Sequence, residues 1–184
     1  MMGIFATAAV YIAFMSFAAR RALTFMHALQ QEEYDNYRTI VWTIRHKVFD
    51  KKLSVLLAGL GFFQVVNLSY QIPDLAFTFV TFILFGAFAI YENDPRKNSK
   101  KNLVSTTRSK RIYYFGMLFM ALIAVPAALI SHPVLWIVPV QLILPCLLVA
   151  NFFLKPLESA IQKKYIEEAK ARMAELDPVI IGIT

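Results

Sequence analysis

Five stretches of this chain contain no Asp, Glu, Lys, Arg or His: Met1–Ala19, Leu53–Gln71, Leu75–Tyr91, Ile112–Ile130 and Val134–Leu154. Each is 17 to 21 residues long. As a helix rising 1.5 Å per residue, such a stretch covers roughly 25–32 Å, the thickness of a bilayer's hydrocarbon core. None alternates with period two, and Gly and Pro are sparse, so helices are favoured over barrel strands. The expected spans are therefore 2–19, 53–70, 75–91, 112–130 and 134–154. With the second run taken to Tyr70, only Gln71–Asp74 and Ser131–Pro133 separate the second run from the third and the fourth from the fifth, which forces antiparallel hairpins. A cleaved signal peptide carries its positive charge ahead of the apolar region. Here Arg20 and Arg21 come after it, so the first run reads as a retained span.

The charges sort by segment. The chain is 58% hydrophobic and 17% charged, yet carries a net charge of +7. That composition excludes a disordered tail, which needs low hydrophobicity. All 19 Lys and Arg fall in Arg20–Lys52, Glu92–Arg111 or the segment after Leu154, and both short turns hold none. Under the positive-inside rule the three basic segments are cytoplasmic and the turns face outside. The fold class expected is an all-α membrane protein with five transmembrane helices, N-terminus out and C-terminus in, bearing cytoplasmic amphipathic helices. Its place is the cytoplasmic membrane, with anionic lipid headgroups as partners of the basic segments. The charge is thus a topology signal, and no recognised module for nucleic acid accompanies it. Tyr11, Tyr70, Tyr91, Tyr113, Tyr114 and Trp136 lie near run ends, where amphipathic rings favour the interface.

The spans themselves carry little chemistry. Their most polar interior residues are Gln64, Asn67, Ser69, Gln141 and Asn151, which suit hydrogen bonds between helices better than a substrate path. Pro126, Pro139 and Pro145 are expected to kink the last two helices. His27, His46 and His132 are scattered and read as surface or interface residues. The lone Cys146 excludes a disulfide framework and reads as packing. No catalytic residue and no metal site is assigned, and no inverted repeat points to a secondary transporter.

Outside the spans, Arg20–Asp50 reads as a helix continuing from the first span, with Leu23, Met26, Leu29, Tyr34, Tyr37, Val41, Ile44 and Val48 on one face. An acidic patch, Glu32-Glu33-Tyr34-Asp35, lies in its middle. Such a helix suits the headgroup layer, or alternatively a docking surface for a cytoplasmic domain. Asn93–Lys110 reads as a basic linker. After the fifth run Pro156 suits the first turn of a new helix, a linker over 155–178. There Leu157, Ile161, Tyr165, Ile166, Ala169, Met173 and Leu176 trace one face and Glu168 pairs with Arg172. Pro178 ends it. Residues 179–184, Val-Ile-Ile-Gly-Ile-Thr, have the character of the first strand of a buried parallel sheet.

The run Ala174-Glu175-Leu176-Asp177-Pro178-Val179-Ile180-Ile181-Gly182-Ile183-Thr184 resembles the lead-in to the ATP-binding domain of Mur ligases. It is most similar to the ligases that add D-alanyl-D-alanine to a UDP-muramoyl tripeptide. Leu29-Gln30-Gln31-Glu32-Glu33-Tyr34, with Arg38 and Trp42, resembles the cytoplasmic segment of the membrane region that some members carry. In that family the strand runs directly into a glycine-rich phosphate loop, which is not among these residues. The resemblance therefore implies the anchor region of a bacterial cell-wall ligase, truncated before its ATP-binding loop and not catalytic alone. It implies ATP and Mg for the missing domain, none of them held by this chain, with Thr184 bordering the nucleotide. Cell-wall synthesis proteins are the implied partners. Two alternatives stay open: a self-contained membrane scaffold that recruits a cytoplasmic partner, and a small transporter or lipid-handling protein.

Overall fold

The computed structural model describes residues 2–67, 73–97 and 101–176, all helix or connection. Helix α1 is Met2–Gln31, α2 Asn36–Arg45, α3 Lys51–Val66, α4 Asp74–Tyr91 and α5 Thr107–Ile130. A 3₁₀ turn, Pro133–Trp136, leads into α6, Ile137–Leu176. Among the described residues, four helical stretches are long and apolar enough to cross a membrane: Ile4–Gln31, Asp74–Tyr91, Thr107–Ile130 and Pro133–Leu176. The second apolar run forms α3, which at 16 residues is about 24 Å long. The residues expected to complete that span, 68–70, lie outside the described ones, as do Asp177–Thr184 with the expected strand and Thr184.

Direction alternates along the chain rather than around the bundle. Thr7 bonds Ser131 across 3.0 Å, while at the other end Gln30 bonds Val104, so α1 and α5 run antiparallel. Phe14 meets Phe85, and Thr24 meets Glu92, so α1 and α4 run parallel. α1 packs chiefly on α4 and α5, and α5 on α6. One end of the bundle therefore gathers Ser131, the 3₁₀ turn and the start of α4. The other, basic end gathers Arg21, Asp50, Glu92 and the start of α5.

At the centre Phe14, Phe85 and Trp136 meet mutually at 5.0–5.3 Å between ring centroids, all buried. Trp136, expected at the interface, is instead 2% exposed, because the 3₁₀ turn folds it inward over α1 and α4. Tyr11 and Tyr113 also turn inward and donate to the carbonyls of Ala121 and Ala19. Tyr91 and Tyr114 stay exposed, as interfacial rings should. Small residues permit the close helix approaches. A Cβ on Gly116 would lie 2.7 Å from Leu147 Cδ2, and one on Gly61 would strike Val134 and come within 3.1 Å of His132. Large apolar side chains face outward on α3, α4 and α5, among them Phe62, Phe63, Phe79, Phe82, Leu118 and Leu122. Water would oppose a shell of that extent, whereas lipid favours it.

Two helices differ from expectation. The helix expected through Arg20–Asp50 breaks at the acidic patch, where Glu33 and Tyr34 take left-handed φ of 56° and 62°. Asp35 then caps α2, accepting from the Arg38 amide at 2.8 Å. A short acceptor side chain bonds the orphan amides of a new helix better than it serves a helix interior. The buried face of α2 is consequently Thr39 and Thr43, while Tyr37, Ile40 and Ile44 are exposed. Conversely, no new helix starts at Pro156: α6 runs through both Pro145 and Pro156 without interruption. Pro139 lies in the first turn of α6, where a missing N–H costs nothing.

Candidate functional site

The basic end is where chemistry-bearing side chains converge. Arg21, two residues past the last apolar residue of the first run, donates to Asp50 through Nε at 3.2 Å, with Nη2 ion-paired to the same carboxylate at 3.1 Å. Its Nη1 donates to Glu92 at 2.9 Å, and Thr24 adds a bond to the same carboxylate oxygen at 3.0 Å. All three charged side chains are at most 14% exposed, and the guanidinium lies 4.9 Å from the centre of the Phe25 ring. Burial pushes the Asp50 carboxyl up from its ordinary value despite the opposing pull of Arg21. One cation thus ties the N-terminus of α3 and the C-terminus of α4 to α1. Nothing local announces this triad, because its members lie 29 and 71 positions apart.

Two further ties hold α6 at this end. Asn151 donates to the Tyr34 carbonyl at 2.8 Å and to Asn36 Oδ1, while Asn36 donates to the Leu148 carbonyl at 3.0 Å. This knot braces the left-handed turn between α1 and α2. It also sets α2 beside Leu144–Val149, alongside the apolar run of α6 rather than beyond it, leaving an apolar groove of about 480 Å³ between them. Arg111 then bonds Glu158 at 2.8 Å, and beyond that contact α6 leaves the bundle. Residues 162–176 are all exposed, a projection of about 22 Å. Its apolar residues Tyr165, Ile166, Met173 and Leu176 are exposed with the rest. The ion pair on it joins Glu168 to Lys164 at 3.8 Å, not to Arg172 as expected.

The polar span residues bridge helices: Gln141 donates to Ser54 at 2.8 Å and Gln64 to Asp74 at 3.2 Å. His27 meets the Lys101 carbonyl at 2.6 Å, and His46 bonds within its own helix. Among the described residues no three His, Cys, Asp or Glu side chains gather as metal ligands would. The loop after α4 holds Asp94 against Arg96 at 2.7 Å, and that guanidinium draws the carboxyl down to about 2. No protein-family model, curated protein or solved structure matches this chain.

Proposed function

We propose that the chain is a five-span membrane anchor that holds an ATP-dependent amide ligase of bacterial cell-wall precursor synthesis at the cytoplasmic face. The supporting observation is α6, a single helix that leaves the bundle at Glu158 and continues as an exposed stalk to Leu176. That stalk delivers the chain to the segment whose residues resemble the lead-in to the ligase's ATP-binding domain. A rigid stalk suits presentation of a soluble domain at a set height over the headgroups, raising its local concentration near lipid-linked substrates. In this reading the basic end is cytoplasmic, α3 crosses as the second span, and Thr184 borders the nucleotide of the attached domain. That domain would use ATP and Mg to activate the tripeptide carboxylate as an acyl phosphate for attack by the dipeptide amine.

The test is to express the reading frame with whatever coding sequence follows Thr184 and to assay membranes for ATP-dependent joining of D-alanyl-D-alanine to UDP-muramoyl tripeptide. Activity should sediment with membranes and become soluble when residues 1–154 are deleted. A stop codon after Thr184 in intact genomic context overturns the reading. The exposed apolar face of the stalk favours a second reading, a scaffold that recruits a separate soluble partner. In that case the chain functions at its present length, and removing 163–184 abolishes recruitment.

A further inference from the structure

A crevice of about 670 Å³ opens between α1, α5 and the connection from α4 to α5. Arg20, Arg96 and Lys110 line it. Asp94 sits on Arg96 at 2.7 Å and also feels Arg20, but no acidic side chain lines the crevice. Arg20 and Lys110 form no ion pair among the described residues. Three cations against one carboxylate leave a surplus of two positive charges around a concave space of ligand size. Three of the hydroxyls in its wall are bonded to the protein: Ser16 donates to the Ile12 carbonyl at 2.9 Å, Ser109 to that of Thr106 at 2.8 Å and Tyr113 to that of Ala19 at 3.2 Å. The walls are braced by these bonds, and the cations supply the charge that meets a ligand.

The crevice also straddles a polarity boundary. Its cations come from the basic segments, whereas Ser16, Ala19, Tyr113 and Tyr114 belong to the first and fourth apolar runs. Leu23, Met26 and Leu103 line it as well. A soluble phosphate would use only the charged half. A lipid would use both, with its anionic headgroup among the cations and its acyl end along the α1–α5 seam. We infer that this crevice binds one anionic phospholipid, its phosphate held by Arg20, Lys110 and Arg96 and its chains leaving past Ser16 and Tyr114. This site is independent of the ligase reading and requires only that the bundle lie in a membrane.

The experiment is native mass spectrometry of the purified protein from micelles doped with phosphatidylglycerol or phosphatidylcholine. The wild type should retain one phosphatidylglycerol and release phosphatidylcholine. R20Q/K110Q should lower that retention by about tenfold or more, since each basic residue near a lipid anion contributes several-fold. R20K/K110R should restore it. K163Q/K164Q, which removes the same charge from the stalk, should leave it unchanged. Equal losses in the two Gln variants would show diffuse surface attraction and overturn the site, as would equal retention of both lipids by the wild type. Displacement of the lipid by millimolar glycerol phosphate would instead assign the crevice to a soluble phosphate and overturn the lipid assignment.

Discussion

Arg21 illustrates how one side chain can serve two carboxylates. With both partners buried, removing the cation leaves Asp50 and Glu92 uncompensated in a poorly hydrated layer, a change that costs about 3–5 kcal/mol. Arg21→Met should therefore lower thermal stability in detergent sharply, and Arg21→Met with Asp50→Asn and Glu92→Gln should recover most of the loss. Asp50→Asn alone should cost far less, because Arg21 keeps Glu92 in a one-to-one pair. The raised Asp50 carboxyl agrees: a group whose folded pKa exceeds its unfolded value adds stability as pH falls through the folded pKa. Asp94 behaves oppositely. Arg96 depresses its carboxyl to about 2, so its contribution is present above its ordinary pKa near 3.8 and lost as pH falls toward 2. Titration of the Asp94 carboxyl carbon by NMR should give a midpoint well below the ordinary 3.8, and Arg96→Gln should move it up toward that value.

Helix α6 contains two mechanical regimes. Up to Glu158 it is packed, with Ile143, Leu147 and Ala150 buried; beyond residue 161 none of the described residues covers it. The second part holds its shape through local bonding alone, so a break there should not reach the bundle. Ala169→Pro removes a backbone bond and clashes with the preceding turn. Protease cleavage at Lys170 and Arg172 should accelerate while the melting of the bundle stays unchanged; a lowered bundle melting temperature would mean that the stalk folds back onto it. Periodicity placed a separate helix after Leu154, and residues 155–176 are helical as the continuation of α6. It could not predict that Pro156 lies inside that helix, because the ring's cost is offset by packing on both sides: Leu154 against the core cluster and Glu158 against Arg111. The break at Glu33–Tyr34 is the reverse case. Apolar spacing alone carried the expected helix across Glu32–Asp35, yet the capping side chain of Asp35 and the carbonyl bond from Asn151 favour a turn.

Across the bundle, α1, α4 and α6 run one way and α3 and α5 the other. Reporters fused after Ser131 and after Leu176 should report opposite sides, with the second cytoplasmic. The same side for both would remove either the α6 crossing or the orientation. Membrane character is legible in the sequence, because apolar runs of bilayer length and the segregation of basic residues are properties of chain order and transfer free energy. The arrangement within the bundle was not. Whether Trp136 faces lipid or Phe14, whether Arg21 is a headgroup cation or the centre of a buried triad, and whether Arg20, Arg96 and Lys110 share one crevice all depend on side chains far apart in the chain. Such contacts depend on which helices pack together, on the small residues that let them approach and on the turns that aim them. Chain order and composition therefore specify the solvent and the expected number of crossings, while packing selects which charges are buried in pairs and which remain to meet a ligand.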